Sequence, residues 1–166
     1  GVDLMHTGRV RKINAPAIHS RLEQGEVVLV SPLGYSPTGE IFNLTMENVA
    51  TEVAIALHAE KLIFLMDTID TQAFYSTESN QLPRELTVAD TRSLLAKAAA
   101  ETSPTMPDST QLALQCALKA CEMHVARTHL INRHNDGAIL QELFTHHGIG
   151  CMVSQEPLQT LRNARI

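Results

Sequence analysis

Short apolar runs and helically spaced apolar positions alternate along this chain. Four runs predict strands, at residues 27–31, 61–67, 126–132 and 149–154. Two of them, VVLVS and KLIFLMD, are continuous and apolar, which predicts strands buried on both faces of a sheet. Apolar residues three and four positions apart predict helices at residues 14–24, 45–58, 88–100, 109–124 and 136–145.

The order of these elements predicts an α/β fold, a mainly parallel sheet with helices on both faces. Between the elements, the segment 32–40 (PLGYSPTGE) is rich in turn formers and is predicted to be a loop. A β-hairpin is predicted within 68–86, and Thr87 is suited to cap the helix that follows.

One edge of the predicted sheet is the place to look for a functional site. In open sheets of this kind, ligands bind beyond the carboxyl ends of the strands. Asp67, the 32–40 loop and the 132–136 loop are therefore expected to lie along that edge.

Composition narrows the class of function. The length of 166 residues fits one domain, and 44% hydrophobic residues are enough for a sizeable core. The net charge of −5, the 4% aromatic content and the absence of Trp argue against a nucleic-acid partner. The densest basic run, GRVRKIN at 8–14, is interpreted as a solvated surface.

Membrane and metal sites receive no support from the sequence. No apolar run approaches the roughly 18 residues of a membrane span, and no signal peptide is recognised. Cys116, Cys121 and Cys151 lack zinc-finger spacing and are odd in number, which favours small apolar fillers in a cytoplasmic protein. His146 and His147 are neighbours that would point apart on a helix, so they predict no shared metal.

Glu142 is an acid among core-type side chains. It lies in ILQELFTHHGIG (139–150), shortly before Gly148 and Gly150. A helix ending here would leave carbonyl groups without intrahelical partners, and glycines let the backbone approach a ligand closely. A carboxylate beside such carbonyls suits a guanidinium group, which is a planar fork of five donors. The alternative from spacing alone is an ordinary surface acid at a helix end.

Longer motifs resemble a known family. The segment 27–65, which contains PLGYSPTGEIFNLTMENVA, resembles the second half of the amino-acid kinase fold, as used in acetylglutamate kinases and N-acetylglutamate synthases. The segment 128–153, THLINRHNDGAILQELFTHHGIGCMV, is similar to the arginine-responsive members. LPRELTVADTRSLL at 82–95 resembles the same family's hairpin exit and following helix, so the resemblance covers nearly the whole chain.

This resemblance favours the synthases over the kinases. The kinases use a lysine near the start of the 109–124 helix and an aspartate that organises the catalytic lysines, and Ala113 and Glu47 take these places here. Without a lysine or a metal, charge on a transferred phosphate would go unstabilised. Asn43 and Glu47 are therefore expected to form a vestigial substrate site, although on spacing alone they are capping and solvent-facing groups.

The same resemblance implies an L-arginine site. In the family, arginine is held by a His at the end of a strand, a Glu thirteen residues later, and backbone near the glycines that follow. His129 and Glu142 have that spacing, and Gly148 and Gly150 follow, so these four are the expected arginine-binding residues. Cys151 stands where the family usually has Thr, which changes the polarity expected there.

The implied function is allosteric. By resemblance, residues 1–166 are the C-terminal part of a kinase-like regulatory domain, without its N-terminal lobe and without the acetyltransferase domain of the synthases. L-arginine would bind here and alter acetyl transfer from acetyl-CoA to L-glutamate, the first step of arginine biosynthesis, in a homo-oligomer. The chain alone is expected to be inactive and to hold no cofactor or metal. Two alternatives stay open: an acetylglutamate-kinase-like phosphotransferase, and an assembly module that binds no ligand.

Overall fold

A computed structural model describes residues 7–67, 82–101, 109–145 and 149–156 of the chain. The helices are α1 (Ala15–Glu23), α2 (Met46–Ala56), α3 (Val88–Glu101), α4 (Ser109–Glu122) and α5 (Ala138–Phe144). The strands are β1 (Leu33–Tyr35), β2 (Ile41–Asn43), β3 (Lys61–Met66), β4 (Glu85–Thr87), β5 (Arg127–Asn132) and β6 (Cys151–Ser154). Most of the hairpin predicted within 68–86, together with His146 and His147, falls outside the described residues.

The larger sheet confirms the predicted α/β architecture. Its strand order is β3-β5-β6-β4. β3 runs parallel to β5 and β4 runs parallel to β6, whereas β5 and β6 are antiparallel. The sheet is therefore mainly parallel, as predicted, with one reversal at its centre.

Helices cover both faces of this sheet, but unequally. α2, α3 and α4 pack on one face and enclose the core, which includes Leu62, Phe64, Leu94, Ala117 and Leu130. α5 lies on the other face, because Thr128 of β5 contacts Cys121 of α4, whereas the next residue, His129, reaches α5. Alternate residues of a strand point to opposite faces, so β5 connects the core with the α5 side.

Two helices end in the same way just before they lead into neighbouring strands. His58 after α2 and His124 after α4 have positive φ angles of 50° and 72°. The following N–H groups, of Ala59 and Val125, donate to carbonyls five residues back at 2.9 and 3.0 Å. This is the Schellman arrangement, in which the helix stops and its last carbonyls are still satisfied. These two histidines are therefore helix-ending residues.

The prediction of a buried strand at 27–31 is wrong. Val27 and Leu29 are each 97% exposed, and no strand of the described chain pairs with this segment. The strands of this region are β1 and β2, which form an antiparallel hairpin; β1 lies inside the 32–40 segment predicted as a loop, and β2 follows directly after it. A continuous apolar run reports local strand preference, but its burial depends on a neighbouring strand that local sequence does not identify.

Thr87 caps α3 as predicted. The Thr87 hydroxyl accepts the Asp90 N–H at 3.1 Å, and Asp90 Oδ2 accepts the Thr87 N–H at 3.0 Å. This reciprocal capping box satisfies two backbone donors that would otherwise have no partner at the start of the helix. Hydrogen bonds from the Thr87 side chain and backbone hold the pKa of Asp90 below its usual value.

Replacing Thr87 with Ala is expected to lower the free energy of unfolding by about 1 kcal/mol, because one cap partner of α3 is lost. Thr87→Ser, which keeps the hydroxyl, should retain most of the stability. Urea unfolding followed by circular dichroism checks both variants. Equal midpoints for the Ala and Ser variants would show that the cap does not contribute.

Candidate functional site

His129 and Glu142 form a buried pair that joins β5 to α5. His129 Nδ1 lies 2.8 Å from Glu142 Oε1, and the two side chains are only 7% and 5% exposed. Strand alternation turns His129 away from the core face, and α5 places Glu142 above it. Two residues that the sequence singled out by their spacing are therefore in direct contact.

Glu142 also binds the backbone at the start of β6. Its Oε2 accepts the N–H groups of Ile149 at 2.7 Å and Gly150 at 2.9 Å. Burial alone would raise the pKa of Glu142, but the His129 ring and these two N–H groups together bring it below its usual value. Glu142 is therefore ionised at neutral pH and connects α5, β5 and β6.

Position 150 has no room for a side chain, so it requires glycine. A Cβ atom at this position would lie 2.3 Å from the carbonyl oxygen of Leu130, a distance that real Cβ contacts do not show. The sequence argument that a glycine permits close backbone approach holds, but the approach is to β5. Gly148, the other glycine of the expected site, lies outside the described residues.

Cys151 does not face the His129–Glu142 pair. It is opposite Leu130 in the β5–β6 register and belongs to the core on the α4 side. Burial raises the pKa of Cys151 to about 12, with a smaller contribution from the negative charge of Glu142. The expected change of pocket polarity at this position is corrected accordingly: the thiol is an apolar filler of the core. Cys116 and Cys121 are likewise buried and free.

His129 keeps one ring nitrogen without a partner. Its Nε2 is buried and has no hydrogen-bond partner in the described structure. Because ionised Glu142 can only accept, His129 Nδ1 must be the donor of the 2.8 Å contact. In the neutral ring Nε2 is then an acceptor. A buried polar atom left unpaired in this way is unfavourable, so the pair has capacity for a ligand that donates hydrogen bonds.

Asn43 and Glu47 are not assembled with this pair. Asn43 ends β2 and is exposed, and Glu47 lies half-buried in the first turn of α2. Their side chains make no hydrogen bond with each other, or with His129 or Glu142, among the described contacts. The vestigial substrate site therefore stays a prediction, separate from the buried pair. Ala113, at the position aligned with the kinase lysine, lies in the core and is 1% exposed.

Asp67 and the 132–136 loop meet at the sheet edge, as predicted. Asp67 Oδ1 lies 3.1 Å from His134 Nε2 and also pairs with Arg133. The three side chains are more than half exposed, so the free energy of these contacts is small. The sequence analysis did not single out Arg133 or His134, although both follow directly after a predicted strand. The 32–40 segment has no described contact with this cluster.

The described residues contain neither a group of metal ligands nor a membrane-spanning helix. Across those residues, no three His, Cys, Asp or Glu side chains are grouped so that they could hold a metal ion. None of the helices described above is long and apolar enough to cross a membrane.

A mainly parallel sheet with helices on both faces defines an α/β domain of the amino-acid-kinase type. The chain belongs to the amino acid kinase family, which matches residues 2–132. His129 lies inside the matched region, and Glu142 and Gly150 lie beyond it.

Individual proteins within this family show a more specific similarity to the chain. The chain is 42% identical over 166 residues to an amino-acid acetyltransferase from Ectopseudomonas mendocina (strain ymp), covering 100% of this chain and 36% of that protein. It superposes on N-acetylglutamate synthase from Neisseria gonorrhoeae complexed with coenzyme A and L-arginine, with a TM-score of 0.79, 33% identity, and 94% and 34% of the two chains covered. The complex of that synthase with coenzyme A and N-acetyl-glutamate gives a TM-score of 0.77 at 33% identity, with 92% and 33% covered. The chain thus spans about a third of the length of these relatives.

Glu142→Gln is expected to destabilise the chain at neutral pH by about 1.5–3 kcal/mol, the range for hydrogen bonds to charged groups. Because folding lowers the pKa of Glu142, its contribution is present above the unfolded-state pKa and is lost as pH falls through the folded pKa. The difference between wild type and variant should therefore shrink in acid. Urea unfolding between pH 7 and pH 3 measures it, with Glu23→Gln on exposed α1 as control. A difference that stays constant with pH would contradict an ionised Glu142.

Gly150→Ala is expected to cost more stability than Gly25→Ala. Gly25 has a φ of +77° and nothing within 4 Å of a built Cβ, so alanine there meets only backbone strain of about 1–2 kcal/mol. At Gly150 the new methyl group must displace the β5 backbone and not a flexible side chain, so the cost is expected at or above the upper end of the roughly 1–3 kcal/mol typical of overpacking. Thermal unfolding of the two variants compares them. A Gly150→Ala variant as stable as wild type would disprove the close contact.

Proposed function

We propose that this chain is the regulatory, L-arginine-binding part of an N-acetylglutamate synthase. The parent enzyme transfers an acetyl group from acetyl-CoA to L-glutamate in the first step of arginine biosynthesis. The observation that carries the proposal is the buried His129–Glu142 pair, with its spare ring nitrogen, in a chain 33% identical to a synthase complexed with L-arginine. The contact between the two residues agrees with the spacing that the family resemblance implies.

A guanidinium group supplies the hydrogen-bond donors that the His129–Glu142 pair can still accept. A carboxylate offers about four acceptor positions, and Glu142 uses three of them for His129, Ile149 and Gly150. One acceptor position of Glu142 remains, and Nε2 of the neutral His129 ring is a second acceptor without a partner. A planar cation with five donors can use both acceptors at once, and its charge complements the ionised Glu142. Gly148 is proposed to contribute backbone groups to the same site.

Regulation follows if arginine prefers one arrangement of the protein. Glu142 connects α5 to the N–H groups that open β6, so a ligand at Glu142 acts on the packing of α5 against the sheet. An effector shifts a conformational equilibrium only by its difference in affinity for the two states. We propose that this local coupling changes the arrangement of the parent enzyme's domains and thereby alters acetyl transfer.

Acetyl transfer itself is assigned to the part of the relatives that this chain does not span. We propose that acetyl-CoA and L-glutamate bind there and that this chain alone has no acetyltransferase activity. Homo-oligomer formation and a cytoplasmic location remain predictions of the same proposal. The kinase alternative is weaker, because Ala113 is buried in the core and offers no cation for phosphoryl transfer.

Calorimetric titration of L-arginine into this chain tests the proposal. Saturable binding is expected, and Glu142→Ala should weaken it about 10- to 150-fold, because a hydrogen bond to a charged group is lost. L-citrulline, the neutral analogue of arginine, should bind more weakly than arginine to the wild-type chain. Glu23→Gln is the matched control and should bind arginine normally.

A folded chain that gives no arginine heat would favour the assembly-module alternative, provided that light scattering still detects an oligomer. Equal affinity for arginine and citrulline would contradict recognition of the guanidinium charge by Glu142. Binding of arginine that is unaffected by Glu142→Ala would place the ligand elsewhere.

A further inference from the structure

A cavity of about 740 Å³ lies beside the β1–β2 hairpin. Its walls come from residues within 7–13, 30–37 and 42–49, and none of them belongs to β5, α5 or β6. Its volume falls in the range of about 300–1,000 Å³ that is typical of small-molecule sites. The cavity is therefore separate from the His129–Glu142 pair and large enough for a ligand of its own.

The lining of this cavity carries positive charge in one segment of the chain. Arg9, Arg11 and Lys12 line the cavity, and no Asp or Glu is among the lining residues. None of the three has an ion-pair partner in the described structure, whereas Arg21, Lys61, Arg92, Lys119 and Arg133 all pair with acids. In a chain of net charge −5, a concave surface with unpaired cations attracts anions, because such a cleft focuses the field.

Apart from these cations, the lining is largely apolar. Val10, Ile13, Leu33 and Leu44 line the cavity, and Val49, which is 6% exposed, closes it from α2. A small inorganic anion would contact the cations and leave this apolar surface in water. A ligand with an apolar body would cover the surface as well, which is favourable in proportion to the area removed from water.

We propose that this cavity binds a soluble amphipathic anion, a small molecule with a phosphate or carboxylate head and an apolar body. The head contacts Arg9, Arg11 and Lys12, and the body packs on the apolar residues of the lining. A membrane surface fits less well, because the apolar lining, including the buried Val49, lies inside the concavity, where a flat array of headgroups would not cover it. The inference does not depend on the arginine site, which takes a ligand of opposite charge.

Octyl phosphate is the probe for this proposal. Calorimetry below its micelle concentration should show saturable binding to the wild-type chain, weakened by added salt because exposed charges are screened. Arg11→Gln removes one charge from an exposed residue and should weaken binding about tenfold or more, as for one charge-assisted hydrogen bond. Lys97→Gln makes the same change on α3, outside the cavity, and should bind octyl phosphate as the wild type does.

Two further ligands distinguish the contribution of the charged head from that of the apolar body. Octyl glucoside has the same apolar chain with a neutral head, and inorganic phosphate has the head alone, so each should bind much more weakly than octyl phosphate. Equal affinity for octyl glucoside, equal effects of Arg11→Gln and Lys97→Gln, or no saturable binding would each overturn the proposal. Binding to phosphatidylglycerol vesicles without binding to octyl phosphate would also overturn it, in favour of a membrane surface.

Discussion

One buried carboxylate holds together the region in which the candidate site lies. Glu142 accepts from the His129 ring and from two backbone N–H groups, and in doing so it fixes α5 against β5 and the start of β6. Removing it would leave a ring nitrogen and two N–H groups buried without partners. Because an unpaired buried polar group costs more than an average hydrogen bond contributes, this part of the fold depends on an ionised Glu142.

The same hydrogen bonds connect the proposed effector site to the packing of the fold. A residue that only contacted a ligand could bind it without consequence for the fold. Glu142 instead divides its acceptor positions between the backbone at Ile149 and Gly150 and the His129 ring. A ligand that donates to Glu142 therefore acts on the packing of α5, which is the kind of differential contact that an allosteric effector needs.

The two faces of the larger sheet differ in what they bury. The face under α2, α3 and α4 forms the core, and small residues of α4 such as Ala117, Ala120 and Cys121 have no exposed surface. The face under α5 carries the buried pair, while Leu140 and Phe144 of that helix remain 65% and 80% exposed. Alternate side chains of β5 point to opposite faces of the sheet, so Thr128 and Leu130 face the core and His129 faces α5.

The sequence by itself determined the five described helices, three strands of the larger sheet, the Thr87 cap and the pairing of His129 with Glu142. These features depend on periodicity, capping chemistry and a spacing of residues, all of which are local or are carried by a family resemblance. Tertiary structure alone decided that 27–31 is exposed, that β6 runs antiparallel to β5, and that Gly150 lies too close to the β5 backbone for any side chain. Each of these depends on which segments become neighbours, and a local pattern specifies what a segment prefers without specifying what it packs against.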